Sequence, residues 1–277
     1  MKKIILLLLL GYALLADELS FIALDKGSWQ IVVCKKESCK NIKTQQEPRT
    51  YDYDFATGRV VYVASDKSVR TLFEGNESII LESQKDAYTQ PLFIKDGQKI
   101  MIVKLVNGNS KNTEIISMDL LGKNHKLLHY QYSTALEPYS ISGNKIYYAN
   151  VSCVEGCGDI IQEIWEKDTI SGQAKQLTLL NAISHQPTID HQQKNIYFSS
   201  KRDGNYHIYH LSLEDGTITK LTKGDITDGF PIASKERLYF IRREGREVKL
   251  MSLKENILEV VTLPKSYQKI RNLKVRP

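Results

Sequence analysis

The sequence predicts an all-β protein: a six-bladed β-propeller of four-stranded antiparallel blades. Three observations predict it. Short segments rich in Ile, Tyr, Phe, Leu and Thr alternate with Asp-Gly or polar turn signals, as the strands of β-hairpins do. One pattern of such segments recurs at the spacing of a propeller blade, roughly 40 to 50 residues. Both ends of the chain carry strand-like pieces that this pattern leaves over.

The clearest blade lies at 186–221, QPTIDHQQKNIYFSSKRDGNYHIYHLSLEDGTITKL. We expect its first strand after Pro187 and further strands at 195–199, 207–213 and 217–221. Polar turns separate them, at 190–194, at 202–205 and at Asp215-Gly216. A lone sheet of this size cannot bury both of its faces, so the pattern favours a repeated unit.

Weaker copies of this unit lie before and after it. Each begins at a proline, or in one case at a tyrosine, and leads to an apolar triplet. The five starts are Tyr51, Pro91, Pro138, Pro187 and Pro231, and the triplets begin at Val60, Ile100, Ile146, Ile196 and Leu238. These copies predict five complete blades.

The sixth blade is predicted from the two ends of the chain. One strand at 272–276 and three strands at 19–24, 29–34 and 40–44 add up to a full blade. Placing both ends in one sheet closes the ring and removes sheet edges that would otherwise template aggregation. We expect the protein to be a monomer.

The string P-x-I-x6-I-Y-F-S-S-K-R-D-G-N-Y-x-I-Y-x-L at 187–211 resembles the repeat of TolB-like six-bladed β-propellers. In that family P-x-x-S-x-D-G-x-x-I-x-F-x-S-x-R-D-G-x-x-x-I-Y recurs. The blades that start at Pro91 and Pro231 match the repeat in part. The resemblance implies the propeller fold over nearly the whole chain after residue 16, and it implies a scaffold role rather than a particular activity.

Residues 1–16 predict a signal peptide. Lys2 and Lys3 form a basic start, and the apolar stretch at 4–15 is shorter than the about 20 residues that cross a bilayer. We expect cleavage after Ala16. The remaining residues 17–277, which are 277 − 16 = 261 residues, are then a single propeller domain without an integral membrane segment, periplasmic or secreted.

The charge balance bears on the class of partner. Without Lys2 and Lys3, 38 − 2 = 36 basic residues stand against 32 acidic ones, a net charge of +4. Nucleic acid is an unsuitable partner, because binding it needs clustered positive charge. A mild excess suits an acidic protein surface or an anionic envelope polymer, and an ordinary solvated face also accounts for it.

Four cysteines fall into two close pairs, Cys34 with Cys39 and Cys153 with Cys157. An oxidising compartment favours a disulfide within each pair. The blade assignment places the two pairs on opposite faces of the propeller and in blades across the ring from one another, which argues against a shared metal site. We expect both bridges to be structural.

Loops between the second and third strands of successive blades are predicted to share one face. Two of them are long, at 107–112 and 151–159. The corresponding loops of the next two blades carry a basic sector made of Lys201, Arg202, Arg242, Arg243 and Arg246. Binding residues concentrate on the loops of rigid scaffolds, so this face is a candidate contact surface. Ordinary charged turns are the alternative.

Residues just before the first strand of each blade are expected to ring one mouth of the central channel. They are Gln90, Glu137, Gln186 with His185, and Phe230 with Asp228. Such a ring can bind a peptide. Carboxylate, imidazole and amide groups are also ligand types for Ca²⁺ or a transition metal. We expect no cofactor, with a channel Ca²⁺ ion as the alternative.

The sequence contains no nucleophile elbow, zinc-protease helix motif, phosphate-binding loop or dinucleotide fingerprint. We therefore expect a non-catalytic propeller that binds a protein or peptide of the cell envelope through its loop face and channel mouth. Two alternatives stay open. One is an enzyme similar to propeller polysaccharide lyases, with a metal at the channel mouth. The other is an inhibitor or immunity protein for an exported toxin.

Overall fold

The computed structural model describes residues 17–36, 38–94, 97–131, 135–139, 144–153 and 160–276. The predicted signal peptide at 1–16 and most of the predicted long loop at 151–159 lie outside these residues. In the described part, 24 strands form six four-stranded antiparallel sheets. The predicted all-β propeller is confirmed.

The strands follow the chain around the ring, and each blade is one sheet. The chain begins with β1 (Leu19–Asp25), β2 (Ser28–Lys35) and β3 (Ser38–Ile42). Blade 1 contains β4 (Pro48–Tyr53), β5 (Val60–Ala64), β6 (Val69–Phe73) and β7 (Asn76–Leu81). Blade 2 contains β8 (Ala87–Ile94), β9 (Lys99–Leu105), β10 (Thr113–Asp119) and β11 (Lys126–Gln131). Blade 3 contains β12 (Ala135–Tyr139), β13 (Lys145–Cys153), β14 (Ile161–Asp168) and β15 (Ala174–Gln176).

The second half of the ring repeats this order. Blade 4 contains β16 (Ser184–Ile189), β17 (Asn195–Asp203), β18 (Asn205–Ser212) and β19 (Ile218–Lys220). Blade 5 contains β20 (Thr227–Ala233), β21 (Leu238–Glu244), β22 (Glu247–Lys254) and β23 (Ile257–Val260). The last strand is β24 (Lys269–Val275), and a single 3₁₀ turn in the described residues, Val106–Gly108, lies between β9 and β10.

Blade 6 joins the two ends of the chain, as predicted. Its strand order is β24-β1-β2-β3, and β24 pairs antiparallel with β1 from Leu19 opposite Val275 to Leu24 opposite Lys269. Because the innermost strand of this blade comes from the C-terminal part of the chain, main-chain hydrogen bonds hold the ring shut.

Alternating side chains of each central strand face the two neighbouring blades. In β17, Ile196 and Phe198 are fully buried against Tyr147 and Ala149 of blade 3. Tyr197, between them in sequence, packs instead against the core shared with blade 5. Burying a side chain of this size contributes about 1.5–3 kcal/mol. The blades are therefore held together by apolar layers between them.

Candidate functional site

The turns between the second and third strands of the blades, where the structure describes them, lie on one face of the ring, the loop face. The turns between the first and second strands lie on the other, the opposite face. The innermost strands β4, β8, β12, β16, β20 and β24 line the central channel between the two faces. Each of them carries a bulge, seen as a break in register with its neighbouring strand.

The bulges give the channel mouth an unusual backbone. In five of the six inner strands the bulged residue has a positive φ between 54° and 57°: Gln90, Glu137, Gln186, Phe230 and Asn272. Left-handed backbone at a residue other than glycine costs about 1–3 kcal/mol. Four of these residues also precede a proline, which further restricts their backbone. The same conformation in five blades requires a compensating interaction.

A chain of hydrogen bonds from blade to blade supplies that interaction. The backbone N–H of Gln90 donates to Thr50 Oγ1 at 3.0 Å, and that of Glu137 donates to Gln90 Oε1 at 2.7 Å. The N–H of Gln186 donates to the Glu137 carboxylate, and that of Phe230 donates to Gln186 Oε1 at 2.6 Å. These four bulged residues thus turn their N–H groups toward the previous blade. Together with Thr50 and Asn272 they form the mouth ring.

The predicted mouth residues are therefore placed differently from the expectation. Gln90, Glu137 and Gln186 do line the channel, but they lie inside the first strands, at the bulges, and not before them. Sequence analysis missed Thr50 and Asn272. Thr50 precedes Tyr51 as Gln90 precedes Pro91, so the repeat alignment contained the signal that could have found it.

The mouth ring leaves defined polar groups for a ligand. Gln90 and Gln186 use their carbonyl oxygens within the ring, and within the described residues their side-chain NH₂ groups have no hydrogen-bond partner. The second carboxylate oxygen of Glu137 lies 3.5 Å from His185 Nδ1. The His185 ring lies 4.9 Å from that of Tyr206, which is half-buried. Donors, one acceptor and an aromatic wall thus meet at the mouth.

The channel behind the mouth is narrow. Its cavity measures about 110 Å³, enough for a few water molecules or one side chain. Beside it, an ion pair joins the neighbouring blades 6 and 1, with Lys274 Nζ 3.1 Å from Asp52 Oδ1. The other oxygen of Asp52 accepts the backbone N–H of Phe93 at 2.7 Å. A ligand can therefore rest in the mouth, but the channel does not admit a folded chain.

Asp228 and Arg242 depart from the predicted arrangement together. Asp228 is fully buried and does not line the channel. Arg242 Nε and Nη2 donate to its two carboxylate oxygens, each at 2.9 Å. The Arg242 side chain is only 14% exposed. The two residues were expected at the mouth and in the exposed basic sector, but they face each other directly across β20 and β21. Pairing hides both charges from a partner.

The rest of the predicted basic sector is exposed on the loop face. It comprises Lys201, Arg202, Arg243 and Arg246, and none of these makes an ion pair within the described residues. The acidic residues next to this sector form ion pairs with lysines outside it. Lys249 lies 3.0 Å from both Glu244 and Glu247, and Lys220 lies 2.9 Å from Asp203. The sector therefore presents uncompensated positive charge around blades 4 and 5.

The structure bears on the predicted disulfides and on a possible metal site. Cys34 and Cys39 form the predicted disulfide, with an S–S distance of 1.99 Å, between directly opposed residues of β2 and β3. The second predicted pair lies outside the description, since Cys157 and the side chain of Cys153 are not part of it. In the described residues no group of three or more His, Cys, Asp or Glu side chains is placed to hold a metal ion.

Comparison with solved structures identifies the fold. TolB from Acinetobacter baumannii superposes with a TM-score of 0.74 at 16% identity, over 95% of this chain and 67% of that one. The chain has the TolB-like six-bladed propeller fold. A chain of the nidogen/laminin complex gives a TM-score of 0.67 at 11% identity, over 94% and 98% of the two chains. Oligogalacturonate lyase in complex with manganese gives 0.62 at 9% identity, over 88% and 73%.

Two other comparisons found no match. No protein-family description matches the chain, and no curated protein matches it. No helix in the described part of the chain is long and apolar enough to cross a membrane. Since the structural matches share few identical residues and include a chain of a protein complex as well as an enzyme, the fold alone does not decide between binding and catalysis.

Proposed function

We propose that the chain is an exported, non-catalytic binding protein. It holds an extended segment of a cell-envelope protein at the mouth ring and against the loop face. The observation that carries this proposal is the mouth ring itself, whose backbone and carbonyl groups are locked together while its amide donors stay available. The site is thus preorganised for hydrogen bonding with a ligand.

The chemistry of the mouth suits a peptide backbone. Peptide carbonyls can accept from the NH₂ groups of Gln90 and Gln186, and a peptide N–H can donate to Glu137. Tyr206 offers a half-buried aromatic surface next to these groups, and such surfaces anchor peptide side chains. The shallow cavity of about 110 Å³ has room for one anchoring side chain. A peptide segment lying across the mouth therefore finds hydrogen-bonding groups for its backbone and an aromatic surface for one of its side chains.

The basic sector lies on the same face and extends the contact. Uncompensated positive charge raises the association rate of an acidic partner and makes it depend on ionic strength. An oxidised Cys34–Cys39 pair supports an exported location, because disulfides persist outside the reducing cytosol. The fold shared with TolB and with a chain of the nidogen/laminin complex supports a role in protein binding.

The proposal is tested by affinity capture from envelope extracts of cells that export the protein. Tyr206→Ala and the double variant Arg243→Glu/Arg246→Glu alter the binding face without touching the mouth ring. A matched double variant, Lys194→Glu/Lys235→Glu, makes the same charge change at exposed residues of the opposite face. We expect the first two variants to lose a protein that the wild type and the matched control both retain. Equal retention by all four proteins would contradict the proposal.

One observation favours a second candidate function. Glu137 and His185 lie together at the mouth, where a lyase-like enzyme would hold its metal, and oligogalacturonate lyase with manganese shares the fold. Metal analysis of the purified protein separates the two proposals. Stoichiometric metal in the wild type that is lost in Glu137→Gln/His185→Ala would favour the enzyme. Metal at the same level in both proteins would show that Glu137 and His185 do not hold it, which would favour the binding proposal.

A further inference from the structure

A larger cavity than the channel lies between blades 4 and 5 and opens on the opposite face. Its volume is about 440 Å³, against about 110 Å³ for the channel, and small-molecule sites in proteins span about 300–1,000 Å³. Blade 4 contributes Tyr197 and His210 to its wall, and blade 5 contributes Arg237. The apolar side chains of Leu221 and Leu253 also line it. We name this cavity the blade 4–5 crevice.

Comparing equivalent positions in the blades shows how this crevice differs from the neighbouring parts of the ring. Blades 3, 4 and 5 carry a tyrosine at the same position of the second strand: Tyr147, Tyr197 and Tyr239. Each of the other two has a carboxylate beside it: Tyr147 lies directly opposite Glu166 on the neighbouring strand, and the Tyr239 hydroxyl donates to Asp17 at 2.9 Å. Both of those rings are buried, whereas Tyr197 is half-buried. Within the described residues, the Tyr197 hydroxyl has no hydrogen-bond partner.

Blades 3 and 4 differ in the residue that lies across the strand pair. Glu166 lies directly opposite Tyr147 in blade 3, whereas His210 lies directly opposite Tyr197 in blade 4. The His210 and Tyr197 rings lie 5.4 Å apart with an interplanar angle of 34°. Blade 4 therefore has an aromatic ring opposite its tyrosine where blade 3 has a carboxylate, and the two rings form a continuous aromatic wall.

A short relay fixes the hydrogen-bonding state of His210. Asn195 Nδ2 donates to Asp190 Oδ2 at 2.6 Å, so Asn195 turns its carbonyl oxygen toward His210. His210 Nε2 lies 2.7 Å from that oxygen and must donate to it. Burial lowers the pKa of His210 and keeps the ring neutral, which leaves Nδ1 as an acceptor.

The blade 5 wall supplies donors. Arg237 Nη1 donates to Glu259 at 3.2 Å, whereas its Nη2 has no hydrogen-bond partner among the described residues and is not among the buried unpaired atoms. The charged residues that line the crevice balance one another. The basic ones are Lys235, Arg237 and Lys254, and the acidic ones are Asp190, Glu236 and Glu255. A net charge near zero does not favour a charged ligand.

Three properties therefore coincide in the crevice: an aromatic wall with apolar side chains beside it, both donors and acceptors, and no excess charge. A sugar ring has matching features, since its C–H face packs on aromatic rings while its hydroxyls both donate and accept. We propose that the blade 4–5 crevice binds a neutral saccharide of one or two rings. The site lies on the face opposite the mouth ring, so it is independent of the protein-binding proposal.

The test uses the purified protein with ¹³C-labelled leucine methyl groups. A mixture of neutral sugars is titrated to the millimolar concentrations at which weak ligands saturate. The mixture contains glucose, galactose, mannose, N-acetylglucosamine, maltose, cellobiose, lactose and chitobiose. We expect saturable shifts of the Leu221 and Leu253 methyl signals. Leu177 and Leu213 line a cavity of about 330 Å³ between blades 3 and 4 and serve as internal controls that do not shift.

Two variants probe the assigned groups. Tyr197→Ala removes the aromatic wall, and Arg237→Gln removes the guanidinium donors. Each is expected to weaken sugar binding at least tenfold. Lys145→Gln, in the control cavity, should leave affinity unchanged. Near-ultraviolet circular dichroism confirms that each variant is folded. The proposal is overturned if no sugar shifts the Leu221 and Leu253 signals, or if folded Tyr197→Ala and Arg237→Gln bind as the wild type does.

Discussion

Replacing Arg242 by methionine should destabilise the protein strongly, although sequence analysis placed this residue on an exposed surface. The Asp228 carboxylate is fully buried, and Arg242 donates both of its ion-pair hydrogen bonds at 2.9 Å. Methionine removes both donors and leaves a buried charge without a partner. Breaking a buried pair in this way costs about 3–5 kcal/mol, a large share of the about 5–15 kcal/mol by which domains are stable.

Urea unfolding followed by the fluorescence of Trp29 and Trp165 measures this cost. Arg243→Met is the matched control, because Arg243 is the next residue of β21 and is exposed. We expect it to change the free energy of unfolding by about 0.5 kcal/mol or less. The double variant Asp228→Leu/Arg242→Met, which buries no charge, should recover most of the loss. A loss below about 1 kcal/mol in Arg242→Met would refute the reasoning, since surface pairs contribute that little.

Three further changes test other parts of the structure. Lys274→Met leaves Asp52 without its ion-pair partner beside the channel and should cost about 3 kcal/mol; a loss under about 1 kcal/mol in urea unfolding would contradict this. Cys34→Ala/Cys39→Ala should cost about 2 kcal/mol, and reductant should destabilise the wild type more than this variant, which retains only the predicted Cys153–Cys157 bridge. Burial lowers the pKa of His207, so only the unfolded state gains its proton as the pH falls below about 6.5. The wild type should therefore lose stability below that pH, and His207→Gln should lose less; an equal loss would argue against a neutral buried His207.

The fold could be predicted because its signals are local. The segment from Pro187 to Phe198 marks a blade by its turn and strand residues, and the leftover strand pieces at the two ends predicted how the ring closes. The Cys34–Cys39 bridge was predictable too, because a short spacing restricts where the two thiols can meet. Each of these signals lies within a few residues of sequence or within one repeat.

The site was less predictable because it depends on contacts between blades. The left-handed backbone of Gln90 makes sense only when the side chain of Thr50, 40 residues earlier, accepts its N–H. Asp228 and Arg242 were assigned to different surfaces, since the register that sets them opposite each other is not visible in the sequence. The placement of His210 opposite Tyr197 depends on strand register in the same way.

Photocrosslinking in cells that export the protein tests most directly whether the loop face and mouth ring bind an envelope protein. A photoreactive amino acid is placed at Tyr206 or Arg246 on that face, and at Lys194 or Lys235 on the opposite face as controls. We expect one envelope protein to be captured from the first two positions and not from the control positions. No captured protein, or the same yield from both faces, would contradict the proposed binding surface.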